Sequence, residues 1–343
     1  MKTWYHNTLT DRRQMLDLVY ERESAVHREL SRAIIEKDWW VTITLKALFA
    51  SSVKDYLSFK GGTSLSKGWG LIDRFSEDID LAIDHTKYGI ESTNKSQREK
   101  LRKAGRRFVV QELAGELEGI LHSWGFTDCH VQPITQRERN GEVQDIDSDK
   151  DPVVLNVEYA SVVPEASAYM LPFVKVEISS LSMREPVQNL QLTSIIGKHF
   201  PEEDIDTCVE ARTVVPTRTF LEKIFLLCEE FQKAKPRTQR MSRHYYDIWQ
   251  MMGSPFAEEA IRDTKLYDDI IAHREAYNHL SFVDYEKLRR EVISFLPPTE
   301  YLDAYREDYR RMSETYIYGD KPTWDELMTA MATLQTQVRE AAK

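Results

Sequence analysis

The chain has 343 residues, 41% hydrophobic and 30% charged, enough for a sizeable core and, at roughly 150 residues per domain, about two domains. Lys and Arg total 46 against 56 Asp and Glu, and the formal charge of −10 discourages non-specific binding of nucleic acid or anionic membrane across the whole surface. No apolar stretch reaches the roughly 18 residues of a membrane span, no apolar signal region opens the chain, and Cys129, Cys208 and Cys228 form no C-x-x-C. A cytoplasmic location without disulfides or zinc is therefore expected, and the nine histidines show no i,i+4 pair of the metal-ligand type.

From 11 to 50, Leu16, Leu18, Val19, Val26, Leu30 and Ile34, then Val41, Leu45, Leu48 and Phe49, recur at three- and four-residue steps and predict helices. Short β-type runs follow at 56–59, 79–83, 130–134, 153–160 and 173–179, interrupted by a charged helical stretch over 95–122. The polar segment 139–152 predicts an exposed loop. Beyond Thr217 the pattern is helical at 218–234, 240–251, 257–278, 284–295, 299–316 and 323–341. These elements predict an α+β protein: a helical segment at 1–50 packed on a core at 51–215, then a helical domain at 216–343.

The chemistry concentrates in 59–83, FKGGTSLSKGWGLIDRFSEDIDLAI. Gly61 and Gly62 permit a tight turn, after which the amides and hydroxyls of Thr63 and Ser64 can surround a phosphate. Along the strand over 79–83, side chains alternate, so Ile79, Leu81 and Ile83 enter a core. Asp78 and Asp80 then share the other face, only ~7 Å apart. Two such carboxylates repel unless a cation neutralises them, and Mg²⁺ does so while completing its shell with substrate phosphates. A phosphate-cradling turn followed by a D-x-D strand describes metal-dependent phosphoryl or nucleotidyl transfer.

Further along, Val174, Val176 and Ile178 form a core face that leaves Lys175, Glu177 and Ser179 on the other. Lys223 falls within the apolar stripe of Phe220, Ile224 and Leu227, where an ammonium is costly unless it meets an anion. In 237–252, Arg240, His244 and Asp247 share a face opposite Tyr245, Ile248, Trp249 and Met252, with Arg243–Asp247 spaced as an ordinary i,i+4 ion pair. Two strips are basic: 95–107 carries seven Lys or Arg against Glu99, and 233–244 carries five and no acid. They sum to +6 and +5, so the rest of the chain carries −21, an acidic shell suited to one specific anionic substrate.

In Lys60-Gly61-Gly62-Thr63-Ser64-Leu65 and Arg74-Phe75-Ser76-Glu77-Asp78-Ile79-Asp80-Leu81, the chain resembles the DNA polymerase β-like nucleotidyltransferase superfamily, most closely its AbiEii/AbiGii toxins. Glu36-Lys37-Asp38-Trp39-Trp40-Val41 resembles the helix start that this family carries upstream. The resemblance implies a polymerase β-like α+β core with a mixed sheet, and a toxin that moves NMP from an NTP to RNA, at the tRNA 3′ end, releasing pyrophosphate. It implies Asp78, Asp80 and a third carboxylate as ligands of Mg²⁺, with Mn²⁺ as the alternative; Glu177 is the choice for the third, and Glu158 its competitor. It also implies Gly61, Gly62, Thr63, Ser64, Ser76 and Lys223 around the nucleotide, with Asp247 orienting Lys223 or the nucleotide. Where family members often carry an acid, this chain has His244. The Ser76 hydroxyl is in addition a candidate for regulatory phosphorylation beside the carboxylates. A cognate antitoxin is the expected partner and no membrane is. Two other readings stay open: a small-molecule or protein hydroxyl as acceptor, and a degenerate nucleotide-binding module.

Overall fold

The computed structural model describes residues 1–26, 30–90, 94–139, 141–163, 171–183 and 185–341. Positions 27–29 of the predicted helical lead and position 140 of the predicted loop lie outside them. The chain divides into two compact units, Met1–Gly68 with Ser76–Thr213, and Trp69–Phe75 with Val214–Lys343.

The first unit opens with α1 (Leu9–Ala25) and α2 (Arg32–Leu48), whose first turns are capped by the Thr8 and Ser31 hydroxyls. Leu16, Val19, Val41, Leu45 and Leu48 are buried as their spacing requires, whereas Leu18 and Val26 face solvent. Then come β1 (Leu57–Lys60), the single turn α3 (Gly61–Thr63) continued by a π-helical turn over Ser64–Gly68, and β2 (Ile79–Ile83). Next are α4 (Lys95–Phe108), α5 (Ala114–Ser123), β3 (His130–Pro133), β4 (Gln136–Arg139) and β5 (Glu142–Asp145). The unit continues through β6 (Val153–Glu158), β7 (Phe173–Ser179), β8 (Val187–Leu192), α6 (Ile195–His199) and β9 (Val209–Val214).

Seven strands form one mixed sheet in the order β3-β6-β7-β2-β1-β9-β8. β2 pairs parallel to β7 and antiparallel to β1, while β3, β6 and β7 run antiparallel in turn. Strict alternation puts Leu155, Val157, Val174, Val176, Ile178, Ile79 and Leu81 into the core at 0–1% exposure, where α2 packs on β7. Burial on that face drives the fold at roughly 25 cal/mol per Å² of apolar surface, and it fixes which residues remain on the opposite one.

Three sequence expectations are corrected. The 139–152 segment is not simply a loop, because β4 and β5 form an antiparallel hairpin with Gln136 facing Asp145 and Arg139 facing Glu142. Every side chain of these two strands is exposed, so ladder hydrogen bonds hold the hairpin with no apolar alternation to announce it. β8 and β9 both lie outside the predicted β-type runs: β8 ends the strand order of the sheet, and its V-Q-N-L-Q-L buries only Leu192 fully. Finally, 284–295 forms a short 3₁₀ turn at Tyr285–Leu288 rather than a helix, and buries Leu288, Ile293 and Phe295 from irregular backbone.

The second unit contains α7 (Pro216–Glu230), α8 (Ser242–Met252), α9 (Pro255–Arg262), α10 (Thr264–His273), α11 (Leu302–Thr315) and α12 (Trp324–Glu340). α7 starts at a proline, which has no amide hydrogen to leave unsatisfied. It is buried nearly all round, contacting α8, α9 and α10, as a central helix must be. α8 begins at Ser242 rather than 240 because Arg240 adopts φ 58°, a left-handed conformation that ends helical continuity. Its buried residues are Ser242, Tyr245, Tyr246, Asp247, Ile248 and Met251, with Trp249 and Met252 half-buried, so Asp247 joins the buried side rather than the opposite face. A capping box between Thr323 and Glu326 starts α12. Cys129, Cys208 and Cys228 are free thiols. None of the described helices is long and apolar enough to cross a membrane.

Candidate active site

On the solvent-facing side of the sheet, Asp80 lies between Lys60 of β1 and Glu177 of β7, in register with both. Asp78, one step before β2, falls on the same face by strand alternation. Glu158 does not join this group. Val154 is the residue of β6 opposite Glu177, and Glu158, opposite Phe173, stands four residues further along, about 13 Å away.

Gly61 makes the approach of the turn to Asp80 possible. Its φ is +79°, and a Cβ there would stand 2.1 Å from Asp80 Oδ2 and 2.8 Å from Cγ. Any side chain at 61 would therefore be strained and would displace the carboxylate. Gly61→Ala is expected to lose most transfer activity, while stability falls by only about 1–2 kcal/mol; parallel activity and urea-denaturation measurements check this, and unchanged activity would contradict it.

The hydroxyls after the glycines turn inward. Thr63 donates to the backbone carbonyl of Asp78, Ser76 Oγ stands 2.9 Å from Thr63 Oγ1, and Ser64 donates to the carbonyl of Gly61 at 2.9 Å. Thr63 thus ties the turn to the D-x-D segment, and Ser64 closes the turn on itself. The groups left for an anion are the backbone amides that begin the helical run at Gly61, Gly62 and Thr63. Of the amides and hydroxyls expected to surround a phosphate, the Thr63 and Ser64 hydroxyls are engaged within the fold.

Lys175 belongs to the same face and was not singled out from the sequence. It is ion-paired with Glu177. Burial works against its ammonium, yet Glu177, Asp78 and Asp80 together raise its pKa above the usual lysine value.

Residues 36–41 lie inside α2 rather than at a helix start, and they hold segments that flank the carboxylates. Glu36 accepts hydrogen bonds from the Ser161 hydroxyl and the Val162 amide. Lys37, 3% exposed, pairs with Glu77 beside Asp78. Asp38 binds Lys67 at 2.6 Å and the Ile195 amide at 2.6 Å, which anchors the end of the turn-and-helix segment. Trp39 donates to Asp204 and Trp40 stacks on Tyr159. The motif is a set of buried polar ties to several loops of the unit, each satisfied as burial demands.

The second unit holds its own charged cluster. Asp247, fully buried, accepts from Arg74 Nε at 2.6 Å and Nη2 at 2.8 Å, and Lys223 Nζ lies 2.8 Å away. Burial alone would raise the Asp247 pKa, but Arg74 and Lys223 hold its carboxyl well below the usual carboxylate range. Burial lowers the Lys223 pKa, with Arg74 adding to that and Asp247 opposing it. His244 is pushed well below its ordinary value by burial and by Lys223 and Arg243, so its imidazole stays neutral near pH 7. Arg74 as the bidentate partner of Asp247 was not legible locally, since 173 residues separate the two. The only hint was an arginine inside the quoted motif, which itself divides between the units, Arg74 and Phe75 in the second and Ser76 to Asp80 in the first.

The basic strips differ in what their charges meet. On α4, Lys103 pairs with Glu99, and Leu101, Gly105 and Phe108 form the buried side. In 233–244, Lys233 and Arg237 both bind Glu230, which is 2% exposed and has its pKa lowered, despite burial, by these partners. Lys233 and Arg237 of that strip are thus engaged within the unit.

Asp78, Asp80 and Glu177 offer only hard oxygen donors, the set that suits Mg²⁺, and one or two carboxylates plus substrate phosphates suffice for that ion. All three residues are of the type that can hold it, Glu177 on exchanging Lys175 for the ion.

A mixed sheet within an α+β fold, with an acid-x-acid strand against a Gly-Gly turn, defines the protein's class, a nucleotidyltransferase. The chain belongs to the AbiEii family: the model described as "Nucleotidyl transferase AbiEii toxin, Type IV TA system" matches residues 43–330. It is accordingly a nucleotidyltransferase toxin of a type IV toxin–antitoxin system. The match spans the Gly61 turn, Asp78, Asp80, Glu177, Lys223 and Asp247, and begins after the 36–41 motif. Among solved structures, the chain is similar to MenT4, the nucleotidyltransferase toxin Rv2826c of Mycobacterium tuberculosis H37Rv. Identity is 15%, coverage is 95% of this chain and 87% of MenT4, and the TM-score is 0.43. No curated protein matches the chain.

Proposed function

We propose that this toxin transfers NMP from an NTP to the 3′-terminal hydroxyl of an RNA, a tRNA in the first instance, through Asp78, Asp80 and Glu177. The observation that carries the reading is the register of Asp80 with Glu177, beside a turn whose Gly61 leaves no room for a side chain. Mg²⁺ bound by Asp78 and Asp80 would supply charge neutralisation at the α-phosphate and the departing pyrophosphate.

The residues do the rest. The amides of Gly61, Gly62 and Thr63, with Ser64 and Ser76 bracing the turn, receive the β- and γ-phosphates. Lys223, oriented by Asp247, supplies a cation for the nucleotide's phosphates. The acceptor oxygen forms its bond to the α-phosphorus as the bond to the pyrophosphate oxygen breaks, and Glu177 takes the proton that the hydroxyl releases. Lys175, ion-paired with Glu177, orients its carboxylate until then. The cations of α4, exposed at Lys95, Lys100, Lys103 and Arg107 and half-exposed at the others, fit an RNA backbone, and the acidic remainder of the chain limits that attraction to a specific site. A cognate antitoxin is the partner that would restrain the activity in its host.

Incubation of the protein with total RNA, Mg²⁺ and each of the four NTPs labelled at the α-phosphate tests the reading. Label is expected in RNA of tRNA size with at least one NTP, and prior periodate oxidation of the RNA, which destroys the terminal diol, is expected to abolish it. Absence of RNA label with every NTP, or label that survives oxidation, would overturn the acceptor assignment.

A further inference from the structure

Among the described residues, one group of side chains brings metal-ligating atoms together outside the catalytic face. It consists of Glu118 and His122, one turn apart on α5, and His130 at the start of β3. One ligand atom from each lies within 4.8 Å of the others. The group carries no histidine pair at i,i+4 spacing, because the partner of His122 on α5 is a glutamate and the second histidine comes from a strand.

Hydrogen bonds already hold two of the three side chains as a metal site needs them. His122 Nε2 lies 2.8 Å from the Cys129 carbonyl oxygen, which can only accept. Nε2 therefore carries the proton and Nδ1 keeps its lone pair, the arrangement that backbone carbonyls impose on metal-bound imidazoles. Glu118 Oε2 accepts the Val131 amide at 2.7 Å, which fixes the carboxylate against the strand. His130 Nδ1 stands 3.9 Å from that same oxygen, and the two imidazoles are nearly perpendicular, 81° apart with centroids at 6.3 Å. Bonds of about 2.0–2.1 Å to a tetrahedral ion place ligand atoms about 3.4 Å apart. A small swing of His130, whose side chain is 66% exposed, covers that difference. The neighbouring thiol is turned elsewhere: Cys129 Sγ donates to the Phe126 carbonyl at 3.0 Å.

We propose that Glu118, His122 and His130 form a Zn²⁺ site that clamps α5 to β3. Two imidazoles and one carboxylate select a borderline ion over Mg²⁺, and three protein ligands leave the fourth position to water. β3 ends the strand order of the sheet opposite β8 and is paired through β6. A tie to α5 therefore stabilises the sheet where it has least cross-strand support, by mass action on the folded state. The site is separate from nucleotide transfer, and its test does not depend on that reaction.

The experiment is titration of ZnCl₂ into the full chain in excess Mg²⁺, which occupies oxygen-only sites, with wild type and His130→Ala side by side. The exposed position of His130 lets the variant keep its fold, and circular dichroism checks that it does. Wild type is expected to bind one equivalent of Zn²⁺ and to gain thermal stability. His130→Ala is expected to bind it more than about 100-fold more weakly, since even losing an outer-sphere partner costs 10–100-fold. Substituted Co²⁺ should give tetrahedral d–d absorption in wild type only, and Glu118→Gln should reproduce the loss of binding. Equal Zn²⁺ affinity in wild type and His130→Ala, or no uptake by wild type, overturns the proposal.

Discussion

Replacing Asp80 with asparagine is expected to end nucleotide transfer while leaving the fold standing. Asp80 lies on the half-exposed face of β2, and the apolar neighbours that hold the strand, Ile79 and Leu81, point the other way. The substitution keeps shape and removes charge, so thermal stability should stay within about 2 °C of wild type, as for a surface change. Activity should fall by about 10³-fold or more, the scale of losing one preorganised electrostatic group at the reacting centre. Asp78→Asn should act similarly, and Glu158→Gln should not, because Glu158 is about 13 Å along β6 from the residue that faces Glu177. Transfer of labelled nucleotide, measured beside a melting curve for each variant, checks all three. Asp80→Asn with activity within tenfold of wild type would remove this face from the reaction.

The largest effect on stability is expected at Asp247. Its carboxylate is the shared anion of Arg74 and Lys223, and all three are at least 93% buried. Asp247→Ala leaves two cations in a site with no counter-charge, and breaking a buried pair in this way costs roughly 3–5 kcal/mol. Urea denaturation should show it as a lower midpoint at an unchanged slope. Lys223→Met should cost less, since Arg74 remains on the carboxylate and methionine fills most of the volume. The cluster also sets an acid limit. The Asp247 carboxyl titrates lower in the folded protein than in the unfolded chain, so its stabilisation is complete above about pH 4 and declines as the pH falls toward the folded value. Acid denaturation of wild type should therefore be steeper below pH ~4 than that of Asp247→Asn, which has no proton to take up there.

These expectations separate what is local from what is not. The strand over 79–83 was legible because strict alternation of Ile79, Leu81 and Ile83 with Asp80 admits only one way to bury the apolar set. The same rule identified 173–179, and helical periodicity located α7 and α12 to within a few residues. The Gly61-Gly62 turn was legible because glycine is the residue that enters φ > 0 without strain. Those parts are decided by side-chain geometry over a few residues, and no partner from elsewhere in the chain is needed to read them.

Tertiary structure alone decided the rest. Whether Glu177 or Glu158 stands beside Asp80 depends on the register of β7 on β2, and a shift of one residue would turn Glu177 to the core. The union of Arg74 with Asp247 and Lys223 bridges 173 residues of sequence, and residues 36–41 reach as far as Ile195 while tying down Lys67 and Glu77. The exposed hairpin of β4 and β5, and the Glu118–His122–His130 group, leave no periodic trace because neither is built by burying an apolar face. The sequence by itself determined the chemistry available, two aspartates beside a glycine turn in an α+β chain. Which carboxylate, cation and imidazole meet which partner was decided only when strand register and helix packing brought distant residues together, because electrostatics and hydrogen bonds act over a few ångströms in space and are indifferent to separation along the chain.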